Sequence, residues 1–98
     1  MEETTMINKN FLRKKLGKEF EIFYNIINNT VEVDNEDICL LTQEQVSNLS
    51  QTSLGYTKKI FSKLIKSNLI KKYGIGKYSI VSENIKFINL VKEIYKDE

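Results

Sequence analysis

From Asn10 to Asn29, apolar residues recur at three- and four-residue steps: Leu12, Leu16, Phe20, Phe23, Tyr24 and Ile27. That period is the stripe of an amphipathic helix. Gly17 divides it into a short basic lead-in, carrying Arg13, Lys14 and Lys15, and a main helix running from Lys18 to Asn28. Ile22 and Ile26 lie beside the stripe, so the helix is apolar over more than one face. Residues 1–8 read as a flexible tail before it. After it, Val31 to Asp37 reads as an acidic loop and Ile38 to Leu41 as a short strand.

Thr42 opens a second helix, and Gln45 three residues on completes a capping box. Val46 and Leu49 point inward. Gln51 and Thr52 form a turn, and Ser53 caps a third helix from Leu54 to Ser67. Thr57, Ile60, Phe61, Leu64 and Ile65 share one face of it; Gly55, Lys59, Ser62, Lys63 and Lys66 share the other. Asn68 stands where a left-handed residue ends a helix. Leu69 to Tyr73 and Lys77 to Val81 are β-prone and joined through Gly74-Ile75-Gly76, which reads as a hairpin. Ser82 caps a last helix, Glu83 to Lys96, whose broad apolar face holds Phe87, Ile88, Val91, Ile94 and Tyr95. The pattern predicts one mainly α domain with a small β-hairpin, of the α+β class, over residues 9–98. Its order is helix, short strand, helix, turn, helix, hairpin, helix. The helix–turn–helix spans 42–67, the hairpin 69–81 and the C-terminal helix 83–96.

Charge sharpens the picture. The chain carries a net charge of only +2. Between Glu44 and Glu83, however, there is no acidic residue, while Lys58, Lys59, Lys63, Lys66, Lys71, Lys72 and Lys77 all fall there. A local positive field on helix and hairpin is what a polyanion-binding surface requires, because each phosphate neutralised releases condensed counterions.

Other chemistries find little support. Cys39 is the one cysteine and there is no histidine, so no internal disulfide, zinc site or histidine-based acid–base pair is expected. Cys39 lies in an apolar run and reads as core. Glu32, Asp34, Glu36 and Asp37 lack the spacing of a calcium loop and read as solvated. No cofactor, no metal and no enzymatic activity are expected. No apolar run approaches the roughly 20 residues of a membrane span. The acidic, polar start is unlike a signal peptide, so a cytoplasmic protein without a membrane partner is expected.

The stretch Leu41-Thr-Gln-Glu-Gln-Val-Ser-Asn-Leu49, then Ser53 to Leu64, then Asn68-Leu-Ile70, then Lys71-Lys-Tyr-Gly-Ile-Gly-Lys-Tyr-Ser-Ile80 resembles a winged helix–turn–helix domain. The spacing fits without a gap over residues 41–80, and the first helix and short strand extend it. Gln51-Thr52 departs from the usual Gly-then-hydrophobe turn, and Thr57 stands where Val is usual. Gly76-Lys-Tyr-Ser-Ile80 is also similar to the close of the wing in small winged-helix replication proteins of Firmicute plasmids and phages. There Asn-Pro usually follows, where this chain has Val81-Ser82. MarR-like and Crp-tail-like regulators fit about as well.

The resemblance implies a protein that binds double-stranded DNA, as a transcriptional regulator or as a replication initiator at a plasmid or phage origin. A winged helix that binds protein instead is the remaining option, but such a module would show an apolar or acidic recognition face, and this one is basic. By resemblance, Leu54, Gly55, Tyr56, Lys58 and Lys59 at the start of the third helix approach bases in the major groove. Leu54 suits a thymine methyl and Lys59 a guanine edge. Gln43, Thr52, Ser53, Lys63 and Lys66 are candidates for phosphate, as is Lys72 or Lys77 on the wing, and Ser62 and Tyr73 are further DNA-contact candidates. One of the two wing tyrosines, Tyr73 or Tyr78, is expected to pack on the third helix. The window contains no arginine, the usual bidentate reader of guanine. Finally, the apolar faces of the first and last helices look too wide for one small core. They predict a homodimer through Ile22, Ile26, Phe87, Ile88, Val91, Ile94 and Tyr95, reading a palindromic site.

Overall fold

A computed structural model describes residues 8–96. Four helices pack with one four-stranded antiparallel sheet. In chain order the elements are α1 (Lys9–Ile27), β1 (Thr30–Val33), β2 (Glu36–Cys39), α2 (Gln43–Leu49), α3 (Leu54–Lys66), β3 (Ile70–Gly74), β4 (Lys77–Ile80) and α4 (Ile85–Tyr95), with a 3₁₀ turn at Ser82–Asn84. No helix among the described residues is long and apolar enough to cross a membrane.

The tail expected over residues 1–8 lies outside the described residues except for Asn8. That residue caps α1, its Oδ1 accepting from the Phe11 amide at 3.0 Å. Gly17 breaks α1 as its sequence suggests: its φ of 76° and ψ of −170° lie far from helical values. The break frees the Gly17 carbonyl, which accepts a hydrogen bond from Tyr95 Oη of α4 at 3.2 Å.

The segment expected to be an acidic loop is instead a hairpin. Thr30–Val33 pairs with Glu36–Cys39, so a strand precedes the expected one. The two-residue connection Asp34-Asn35 has φ of 52° and 67°. Tight hairpins need both central residues left-handed, and Asp and Asn tolerate this better than other non-glycine residues. The sheet runs β1-β2-β4-β3, with Ile38 opposite Ser79 joining the two hairpins.

The capping box of α2 is formed: Thr42 Oγ1 accepts from the Gln45 amide at 3.1 Å, and the Thr42 amide donates to Gln45 Oε1 at 2.9 Å. Leu49, expected inside, is 52% exposed. Ser47 and Ser50 turn inward in its place. Ser50 Oγ accepts from Asn25 Nδ2 at 2.8 Å and its carbonyl from Lys18 Nζ at 2.7 Å, which ties α2 to α1. At the other end of the chain, Ser82 does not cap α4. The helix begins after the 3₁₀ turn without a side-chain cap, and Asn84 Nδ2 reaches back to the Asn68 carbonyl at 2.9 Å.

The largest correction concerns the residues assigned to a dimer interface. Ile22 and Ile26 are 0% exposed, Val91 is 1% exposed, and Ile88, Ile94 and Tyr95 are also buried, all within one chain. Phe87 is half-buried, in ring contact with Phe20 and Phe23 at 5.7 and 5.9 Å between centroids. Tyr24 stacks on Tyr95 at 5.9 Å. The wide apolar faces of α1 and α4 therefore cover each other, and those seven side chains form monomer core.

Candidate nucleic-acid interface

α3 sorts its residues by face. Thr57, Ile60, Phe61 and Leu64 are buried, and the Thr57 hydroxyl donates to the Ser53 carbonyl at 2.9 Å. The hydroxyl that departs from the usual Val is thus satisfied inside the helix. Ser53, Leu54, Gly55, Tyr56, Lys58, Lys59, Ser62, Lys63 and Lys66 are all exposed. Ser53 Oγ accepts from the Tyr56 amide at 3.1 Å, which starts the helix and leaves the hydroxyl hydrogen able to donate outward.

Both ends of this helix pair rest on left-handed residues. After α2, Gln51 has a φ of 54°, with its amide bonded to the Asn48 carbonyl at 3.2 Å and the Thr52 amide to Ser47 at 3.0 Å. After α3, Asn68 has a φ of 62°, with matching bonds from Asn68 to Ile65 and from Leu69 to Leu64, each 3.0 Å. The two pairs of bonds are the closing pattern of a Schellman motif.

The β3–β4 hairpin is fixed to α3 by Tyr78. Its ring meets Phe61 edge-on at 5.0 Å between centroids, and its hydroxyl accepts from Gln43 Nε2 at 3.1 Å. Tyr78 is therefore the tyrosine that packs inward, while Tyr73 is exposed. Gln43, assigned to phosphate, is half-buried and spends its amide on docking the hairpin. The start of α2, the start of α3 and the hairpin together border one groove of about 280 Å³, lined by Thr42, Gln43, Glu44, Leu54, Lys58, Gly76 and Tyr78.

The lysines divide into two sets. Lys63 Nζ lies 3.0 Å from Glu19 Oε1 of α1, and Lys71 Nζ lies 3.5 Å from Glu36 Oε1 of β2. Among the described residues no acid forms an ion pair with Lys58, Lys59, Lys66, Lys72 or Lys77. Spacing placed all seven in one block; the fold couples two of them to acids from distant segments. It also places Glu44 on the groove, a neighbour that the acid-free window stops just short of. Ile75, at the hairpin tip, was not singled out by pattern and is the most exposed large apolar residue described.

Cys39, the last residue of β2, is buried, its thiol 3.8 Å from the Leu41 carbonyl. Burial pushes its pKa up, against a smaller lowering from that hydrogen bond. A thiol kept protonated is a poor nucleophile, in keeping with a core role.

No family model matches the chain, and no curated protein matches it. Two solved structures do share its fold. The chain is similar to CprK complexed with OCPA at 12% identity and a TM-score of 0.51, covering 81% of this chain and 36% of that one. It is similar to reduced CprK without ligand at 15% identity and a TM-score of 0.52, covering 94% of this chain and 41% of that one. The chain thus spans about two fifths of the length of the protein it matches.

Proposed function

We propose that the chain is a winged helix–turn–helix protein that binds double-stranded DNA and regulates transcription. α2 and α3 form the helix–turn–helix, α3 enters the major groove, and β3–β4 is the wing. The observation that carries this reading is the set of five lysines on α3 and β3–β4 that form no ion pair with an acid among the described residues. The fold likeness to CprK supports it, since CprK is a transcription regulator of the CRP/FNR family with a DNA-binding helix–turn–helix domain. Leu54, Gly55, Tyr56, Lys58 and Lys59 face base edges. Ser53, Ser62, Lys66, Lys72 and Lys77 hold phosphates. Lys63 joins them only by leaving Glu19. With no arginine on this surface, phosphate contact and DNA shape supply much of the affinity.

The test is duplex binding across a salt series. Phosphates neutralised by Lys66, Lys72 and Lys77 give a slope of about −3 in log affinity against log salt. A fluorescent duplex that stays unbound at about 50 mM salt, with the protein folded, would falsify the reading.

A further inference from the structure

Ile75 stands at the tip of the β3–β4 hairpin at 103% of its reference area; the next most exposed large apolar residue among those described is Leu40 at 62%. A lone exposed aliphatic is ordinary on a protein surface. The surroundings of this one are not. Gly74 pairs with Lys77, so the turn is Ile75-Gly76, and Gly76 has a φ of 70°. A Cβ added at Gly74 or Gly76 meets no atom within 4 Å, so the isoleucine projects between two positions empty of side chain. Lys72 and Lys77 flank it, each without an acid partner among the described residues. The register shifts between Lys72 and Gly74, leaving Tyr73 as an extra residue. Such a bulge raises the twist of a ribbon and re-aims its end. Tyr78, in the second pair from the tip, holds the ribbon against Phe61 of α3, and Gly76 shares a groove with Leu54 and Lys58 of α3. The tip is thus a narrow apolar blade between two cations, next in the chain to the glycine that borders the groove at the start of α3.

We propose that Ile75 is a minor-groove wedge. Lys72 and Lys77 bind phosphates on either side of the groove, and the isoleucine side chain presses between two base pairs and bends the duplex. The inference rests on the DNA-binding reading above and names the class of DNA it selects. The minor groove is only about 6 Å wide, so a hairpin enters by its tip alone, and a glycine-flanked tip is the narrowest available. Apolar wedges open base steps and kink DNA toward the major groove. Pyrimidine–purine steps such as TA and CA unstack most easily, so the preferred duplex carries one at a fixed distance from the bases that α3 meets.

The test uses the full chain with and without Ile75→Ala, which alters an exposed residue and leaves thermal unfolding unchanged. Each protein selects its sites from a pool of random duplexes. Bending is then read by energy transfer between end labels on the selected duplexes. The wild type is expected to enrich TA or CA at one position outside the α3 contact and to bend the duplex. Ile75→Ala should lose the enrichment at that position alone, bend less, and bind the flexible-step duplex about tenfold more weakly. Equal enrichment and equal bending by both proteins overturns the proposal while leaving DNA binding intact. Self-association of the wild type that Ile75→Ala abolishes assigns the tip to a second copy and also overturns it. A wild type that binds no duplex removes the DNA-binding reading, and the wedge with it.

Discussion

Gly55 is the residue at which fold and binding ask for different things. It lies in the first turn of α3, exposed, and a Cβ built there meets no atom within 4 Å. Nothing inside the chain requires glycine, and a glycine within a helix costs roughly 0.5–1 kcal/mol relative to alanine. On the proposed DNA-binding reading, a bare backbone at this position would let the duplex approach the chain closely. Gly55→Ala should therefore raise the thermal midpoint by several degrees and weaken duplex binding in the same protein. A midpoint that rises while affinity stays constant would show that the DNA does not approach the backbone here. The outward face of α3 was legible in the sequence because a 3.6-residue period separates Ile60, Phe61 and Leu64 from Lys58, Lys59 and Lys66. The partner of Gln43 was not, because a hydrogen bond to Tyr78 across 35 residues leaves no mark on spacing. For the same reason the Glu19–Lys63 pair was invisible, and a lysine that looked available is engaged.

Caps and turns decide where the elements stop, and most of these were readable. Thr42, Ser53 and Asn68 do what their short polar side chains suit them for: two cap helices and one tolerates a left-handed backbone. The hairpin at 30–39 was missed because its turn, Asp34-Asn35, lacks glycine and its charges suggested a loop. The signal was present in the alternation of Val31 and Val33 before that turn. Gln51 shows the opposite case, a residue whose side chain gives no hint of its backbone. Its φ of 54° at the end of α2 is the conformation in which glycine is usual. A left-handed conformation costs a residue with a Cβ about 1–2 kcal/mol, part of which glycine returns as flexibility in the unfolded chain. Gln51→Gly should stabilise the protein by about 1 kcal/mol in chemical denaturation, with the denaturant slope unchanged. It should leave DNA affinity within a factor of two or so, since Gln51 sets the angle between α2 and α3 through backbone alone. A loss of stability would mean that the Gln51 side chain makes a contact outweighing the strain.

At the scale of the molecule, the question is what two broad apolar helices bury themselves against. Amphipathicity states that a face must leave water and is silent on its partner. In this chain the break at Gly17, the Tyr95 hydroxyl on the carbonyl it frees, and the ring contacts of Phe20 and Phe23 with Phe87 and of Tyr24 with Tyr95 join α1 to α4. Arg13 closes one end, its guanidinium 5.8 Å from the Tyr95 ring centre and its Nε donating to the Ile94 carbonyl at 2.9 Å. Val91 lies within this seam at 1% exposure. A buried unpaired carboxylate costs several kcal/mol, a large share of the 5–15 kcal/mol that holds a small domain together. If the seam is core, Val91→Glu should lose its cooperative melt and its helical circular dichroism at neutral pH, and DNA binding with them. If the seam were an interface between two copies, the same substitution would give a folded monomer by sedimentation, with helical content near that of the parent. The burial of the seam within one chain favours unfolding, and far-ultraviolet circular dichroism combined with sedimentation separates the two outcomes in one preparation.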